Sequence, residues 1–238
     1  MSTTPAEAGA IADEKAEVQA YFNSTGFERW NRIYSESDDV NKVQRNIRLG
    51  HQKTVDQVLD WLQGEGNLAA RSFCDAGCGV GSLSLPLATL GAGSIQASDL
   101  SEAMVTEARR RAEAEGIDAN RLQFTASDLE SLDGSFDTVI CLDVFIHYPQ
   151  EPAEQMVGHL ASLAKRKLIV SFAPYTPLLA ALKRIGDFFP GPSKATRAYT
   201  LREEGIVAAA ERGGFRPQRR SLNKAPFYFS RLIEFERI

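Results

Sequence analysis

The run Phe73-Cys74-Asp75-Ala76-Gly77-Cys78-Gly79-Val80-Gly81 decides how the whole chain is read. Phe73 to Ala76 have the apolar character of a short buried strand, and the glycines that follow make a strand-to-helix turn. Glycines there let backbone amides approach a ligand. Asp99 follows about 20 residues beyond the turn, at the end of a second strand-like run, where a carboxylate accepts from ribose hydroxyls. Together they form a nucleotide-binding βαβ unit. The spacing is G-x-G-x-G, through Gly77, Gly79 and Gly81; a dinucleotide pattern, G-x-G-x-x-G, would need glycine at Ser82. Asp75 stands just before the turn, where it repels a pyrophosphate and suits an ammonium. The ligand predicted is therefore S-adenosylmethionine (SAM), whose aminopropyl arm ends in an ammonium and a carboxylate. The plainer alternative is a tight turn without a ligand. The agreement of glycines, Asp75 and Asp99 speaks against it.

Composition bounds the rest. The chain has 238 residues, 43% of them hydrophobic, enough for one large α/β domain and too few for two. A formal net charge of −4 disfavours a general nucleic-acid binder. No apolar run is long enough to span a bilayer, and the Ala-rich, acidic N-terminus does not read as a signal peptide, although peripheral membrane contact stays open. Cys74, Cys78 and Cys141 lack metal-ligand spacing and read as small buried apolar residues in a reducing compartment; no metal site is expected.

Residues 1–12 lack periodicity and read as disordered, leaving 13–238 as a single domain. A helix is expected from Asp13 through Phe22, then an aromatic-rich segment from Phe27 to Tyr34 and a polar, capping turn over residues 35–39. Helical spacing follows from Val43 to Gly64. The aromatics Tyr21, Phe22, Phe27, Trp30 and Tyr34 suit a segment that folds over the cofactor, which makes residues 13–64 a helical N-terminal lid; a helix packed plainly on the sheet is the alternative. Strands are predicted at Phe73–Ala76, Ile95–Ala97, Leu122–Thr125, Thr138–Val144 and Leu168–Phe172. Helices fall between them at Gly81–Leu90, Ser101–Glu115 and Pro152–Leu163. That alternation means a Rossmann-like α/β fold, a parallel sheet with helices on both faces. After the fifth strand, residues 174–200 form an insertion with four prolines and the Phe188-Phe189 pair. It is too apolar for a linker and reads as a substrate cover. Leu201–Arg212 is helical, and Phe215–Leu222 with Phe227–Phe235 make a hairpin at the sheet edge.

Ligands of such sheets sit beyond the carboxyl ends of the strands. There Asp99 is expected to accept both ribose hydroxyls, with Leu100 beside it. Met104 covers one adenine face as a soft apolar wall. Ser127, Asp128 and Leu129 end the third strand, where Asp128 accepts from the adenine amino group or serves as an ordinary helix cap. Leu142 closes the sheet side. The cofactor set is therefore Asp75, Gly77, Cys78, Gly79, Gly81, Asp99, Leu100, Met104, Ser127, Asp128, Leu129 and Leu142. His147, in Asp143-Val144-Phe145-Ile146-His147-Tyr148-Pro149, lies at the mouth of the cleft. It either hydrogen-bonds an acceptor oxygen, serves as a base, or merely caps its loop. His51 and His159 fall on helical patterns and read as structural. In the insertion, Phe188, Phe189 and Arg197 place aromatics beside cations. That suits a flat apolar ligand carrying carboxylates, with a solvated charged face as the alternative.

Phe73–Gly81 with Asp99 resembles motif I and the following acid of class I SAM-dependent methyltransferases. More narrowly, Tyr21-Phe22-Asn23, Phe27-Glu28-Arg29-Trp30, Val43 to His51, Ile146 to Pro149 and Phe189 to Arg197 resemble the magnesium-protoporphyrin IX O-methyltransferase family. The resemblance implies a seven-stranded sheet with an antiparallel C-terminal strand. It also implies methylation of one propionate of magnesium-protoporphyrin IX in chlorophyll biosynthesis, with S-adenosylhomocysteine (SAH) as the second product. Association with the magnesium chelatase and with photosynthetic membranes is implied too, in a cytoplasmic or plastid-stroma-like location.

A propionate is ionised near pH 7 and needs no strong base. His147 is then expected to stay neutral and orient the attacking carboxylate, with Tyr34, a lid hydroxyl, as second candidate. Two rivals remain: a quinone- or phenol-type O-methyltransferase with His147 as true base, and a SAM-binding regulatory protein without turnover.

Overall fold

The computed structural model describes residues 19–21, 23, 25–33, 40–176 and 199–238. Tyr34, the predicted turn at 35–39, Phe188, Phe189 and Arg197 lie outside the described residues, as do residues 1–12 and most of the first predicted helix.

Seven strands form one sheet. They are β1 (Ser72–Ala76), β2 (Ser94–Asp99), β3 (Leu122–Ala126), β4 (Phe136–Cys141), β5 (Ala164–Phe172), β6 (Phe215–Ala225) and β7 (Tyr228–Arg237), in the order β3-β2-β1-β4-β5-β7-β6. β1 to β5 run parallel, while β7 pairs antiparallel with both β5 and β6. The expected C-terminal hairpin is present, and its second strand lies inside the sheet, between β5 and the edge strand β6.

The helices are α1 (Thr25–Ile33), α2 (Lys42–Glu65), α3 (Ser84–Thr89), α4 (Glu102–Ala114), α5 (Gln150–Leu163) and α6 (Glu203–Arg212). Alternate strand residues feed two cores. Phe73, Ile140 and Ile169 pack with Val55, Val58 and Leu62 of α2 and Val105 of α4. Cys74, Val139 and Val170 pack with Met156 and Leu160 of α5 and Ile206 of α6. Burial on both faces explains why these strands read as continuous apolar runs. α2 starts at a capping box: the Asn41 side chain accepts from the Gln44 amide at 2.9 Å, and Gln44 accepts from the Asn41 amide at 3.0 Å.

Three boundaries differ from expectation. β4 stops at Cys141 instead of Val144, because Asp143 takes a left-handed backbone, φ 58°. α3 begins at Ser84 instead of Gly81, since the glycines up to Gly81 have positive φ. β5 begins at Ala164 instead of Leu168, where exposed Lys165 and Arg166 mask the strand pattern. Far from the turn, Lys167 Nζ bridges Glu65 at 2.6 Å and Glu234 at 3.1 Å, joining the end of α2 to β5 and β7.

Candidate functional site: the glycine turn and the loop after β4

The turn after β1 is held from the neighbouring strand. The amides of Gly77 and Cys78 both donate to the Ser98 carbonyl, at 2.7 and 2.8 Å. Asp99, at the end of β2, accepts from the Gly79 amide at Oδ2 and the Ser101 amide at Oδ1, each 2.9 Å away. Burial raises the Asp99 carboxyl above its ordinary range, and these two amides oppose that rise. Each carboxylate oxygen has a second lone pair, so the same group can still accept two hydroxyls. At Gly79, φ 53°, a Cβ would meet nothing within 4 Å, so the backbone borders open space. A backbone edge with room beside a half-buried carboxylate fits a nucleoside with two vicinal hydroxyls.

Asp75 is buried, and its carboxylate accepts from Ser84 Oγ at the start of α3. Burial pushes it up to about 6; the Ser84 hydrogen bond and the His51 charge oppose this, and the Asp99 charge adds to it. The two acids flank the turn on strands that pair in register, Asp75 against Ala97. Met104, whose amide donates to Ser101 Oγ at 3.3 Å, is buried beyond Asp99. Leu129 and Leu142 are buried as well, and Leu100 is half-buried. Ser127 is tied to β2 by its amide, 2.9 Å from the Asp99 carbonyl. Asp128 caps the short helix Leu129–Ser131, accepting from the Ser131 amide at 2.7 Å. The cap is thus observed for Asp128.

The N-terminal segment meets this site. Ser101 Oγ donates to Asn23 Oδ1 at 2.7 Å, Gln19 Nε2 lies 3.4 Å from the Leu100 carbonyl, and Arg111 donates to Asn31 at 2.6 Å. Gln19 and Asn31 carry no sequence signal beyond polarity, and sequence reading missed them; Asn23 lies in a segment that carries the family resemblance but was given no role.

His147 ends the one-turn helix Phe145–His147 after β4. Burial lowers its imidazole to about 4 against the opposing charge of Asp143, so it is neutral near pH 7. The Ile146 carbonyl beside it accepts from the Tyr199 amide at 2.7 Å, and the Tyr175 amide donates to the Leu201 carbonyl at 2.7 Å. The C-terminal end of the 174–200 segment is therefore anchored at the His147 loop, and its start pairs with Leu201 just beyond that end.

The reading of His51 as a helix residue without chemical company is corrected. His51 Nδ1 lies 2.9 Å from Asp143 Oδ2. Asp143 also accepts from Tyr228 at 2.6 Å, Ser171 at 2.7 Å and Ser230 at 3.0 Å. Cys74, Cys78 and Cys141 are buried free thiols, with burial pushing Cys74 up to about 12.

A sheet of this order with β7 reversed, a glycine turn after β1 and an acid ending β2 defines a class I SAM-dependent methyltransferase. The sequence matches the profiles described as "Methyltransferase domain" over residues 73–167 and "Magnesium-protoporphyrin IX methyltransferase C-terminus" over residues 141–237. It is 54% identical over 221 residues to the chloroplastic magnesium protoporphyrin IX methyltransferase of Arabidopsis thaliana, covering 93% of this chain and 70% of that one. It is 53% identical over 225 residues to the magnesium-protoporphyrin O-methyltransferase of Synechocystis, covering 94% and 97% respectively. The crystal structure of magnesium protoporphyrin IX methyltransferase from Synechocystis with bound SAH superposes with a TM-score of 0.87 at 51% identity, covering 94% of this chain and all of that one. The chain belongs to the magnesium-protoporphyrin IX methyltransferase family.

Proposed function

We infer that this protein transfers the methyl group of SAM to a propionate of magnesium-protoporphyrin IX, forming the monomethyl ester in chlorophyll biosynthesis. The observation that carries this is the 53% identity over nearly the full length of both chains. The Asp99–Gly79 pairing in this structure agrees with it. Asp99 holds the ribose hydroxyls and Asp75 the ammonium. Gly77, Cys78, Gly79 and Gly81 form the turn around the aminopropyl arm. Leu100, Met104, Ser127, Asp128, Leu129 and Leu142 surround the adenosine. Bound there, SAM supplies an electrophilic methyl on a cationic sulfonium.

The acceptor propionate is already an anion, so the residues around it have to align it and exclude water. His147, neutral, donates one hydrogen bond to the attacking carboxylate, and Tyr34 supports it from the lid over residues 13–64. Phe188, Phe189 and Arg197, in the substrate cover 174–200, face the porphyrin and its second propionate.

Among the described residues no helix is long and apolar enough to cross a membrane. We place the enzyme in a cytoplasmic or stroma-like compartment, peripheral to photosynthetic membranes and close to the magnesium chelatase. The deciding experiment is incubation with magnesium-protoporphyrin IX and methyl-labelled SAM. Labelled monomethyl ester and SAH are expected. Label moving only to a phenol or quinol acceptor, or to neither, would replace this reading with one of its two rivals.

A further inference from the structure

Outside the cofactor turn, a dense polar cluster among the described residues centres on Asp143. This residue sits at the carboxyl end of β4 with φ 58°, a backbone conformation that costs energy for any residue but glycine and is tolerated best by Asn and Asp. Its surroundings hold it there. Donors arrive from three elements: His51 of α2, Ser171 of β5, and Tyr228 and Ser230 of β7. Its own amide donates back to Ser171 Oγ at 2.8 Å. Burial would raise the carboxyl, but the hydrogen bond and charge of His51, then the hydroxyls, outweigh burial and hold it below the usual carboxylate range. The group is therefore a fixed anion at neutral pH.

Two contacts connect this cluster to the site. Val144, the next residue, packs so closely on Gly77 that a Cβ there would lie 2.1 Å from Val144 Cγ2. The His147 amide donates to the Val144 carbonyl at 3.1 Å. One short loop thus touches the glycine turn at one residue and presents His147 three residues later. On the other side, Gly50 lets α2 seat directly on Tyr228: a Cβ at Gly50 would lie 2.4 Å from the ring's Cγ. Tyr228 also shares a 2.9 Å hydrogen bond with Thr54 of α2, which accepts from Asn223 of β6 at 3.1 Å.

We propose that Asp143, His51 and Tyr228 form a clamp that positions the Val144–His147 loop for methyl transfer, locking it to α2 and to the β6–β7 hairpin. Asp143 is here a positioning residue that acts through His147. This rests on the role given to His147 above, and the clamp itself is readable without that role. The titratable groups facing Asp143 are His51 from α2 and Tyr228 from β7, with His147 following in the same loop; Asp75 faces His51 from β1.

The test uses the full chain carrying Asp143→Asn or Tyr228→Phe. Asn keeps the left-handed backbone and removes the charge; Phe removes one donor to Asp143 together with the Thr54 hydrogen bond and keeps the ring. With three histidines in the chain, the imidazole resonances of 15N-labelled protein are assignable through His51→Gln and His159→Gln variants. In Asp143→Asn, without any ligand, the His147 resonances are expected to shift and its titration midpoint to fall, because the Asp143 charge holds that midpoint up. kcat is expected to drop about 10- to 100-fold, with the SAH dissociation constant and the KM for porphyrin changed less than about threefold, and Tyr228→Phe to show a smaller drop of the same kind. In a His147→Ala background, Asp143→Asn is expected to add nothing to the kcat loss. His147 resonances that stay in place in both variants overturn the clamp, whatever the rates. A full additional kcat loss in the His147→Ala background also overturns it, because Asp143 then acts by another route. If His147→Ala alone keeps wild-type kcat, the role of His147 falls, and the resonances decide the clamp by themselves.

Discussion

Asp99 Oδ2 and the amide nitrogen of Gly79 stand 2.9 Å apart, so the acid that closes β2 also braces the glycine turn that follows β1. The carboxylate shapes the turn, and in the proposed site it is also the acceptor for the ribose. Asp99→Ala removes both. The expected loss is on the order of 2–4 kcal/mol in affinity for SAH, roughly 30- to 1,000-fold. Calorimetric titration measures it, and an unchanged dissociation constant would end the ribose assignment.

As the proposed partner of the cofactor ammonium, Asp75 should make cofactor affinity depend on pH. Its carboxyl is raised to about 6 in the free protein, and only the ionised form pairs with an ammonium. A bound ammonium pulls that value down, so binding below pH 6 must release a proton. Affinity for SAH should hold steady above pH 7 and weaken as pH falls through 6. Asp75→Asn should bind more weakly at pH 7.5 and lose this slope. A wild-type binding curve that is flat from pH 7.5 to 5 would remove Asp75 from the ammonium site.

Gly77 and Gly79 both have positive φ, yet their surroundings differ. At Gly77 an added methyl collides with Val144, and at Gly79 it meets nothing within 4 Å. Gly77→Ala should therefore cost about 2–4 kcal/mol of stability, and Gly79→Ala about 1 kcal/mol from backbone strain alone. In a chain of this size each kcal/mol lowers the unfolding midpoint by about 2–4 °C. Val144→Ala added to Gly77→Ala should return part of the loss. Equal midpoints for the two glycine variants would mean that the Val144 contact yields freely.

His147 is neutral at every pH down to about 4, so a pH profile between 5 and 8 cannot tell an orienting group from a base. Amide substitution can. His147→Ala is expected to lower kcat about 10- to 1,000-fold with SAH affinity retained, and His147→Asn or Gln to recover part of the rate, since an amide donates the same hydrogen bond. Rates for the amide variants as low as for alanine point to a proton acceptor. Full activity of the alanine variant shifts attention to Tyr34.

What the sequence alone determined is whatever is written in local spacing. The run Phe73–Ala76, the glycines to Gly81 and the acid at Asp99 were legible because strand, turn and following strand are consecutive and their chemistry needs those residue types in that order. The alternation of apolar strands with helical stretches gave the parallel sheet for the same reason. Tertiary structure alone decided the rest. Asp143 and His51 are 92 residues apart in the chain and Asp143 and Tyr228 are 85 apart, and no spacing rule connects them. They meet because β7 enters the sheet between β5 and β6, which brings the start of Tyr228–Arg237 to the carboxyl ends of the parallel strands. The early end of β4 has the same origin. Val144 continues an apolar run and reads as strand, but several long-range hydrogen bonds hold Asp143 in a left-handed turn, and together they outweigh the local preference for extended backbone.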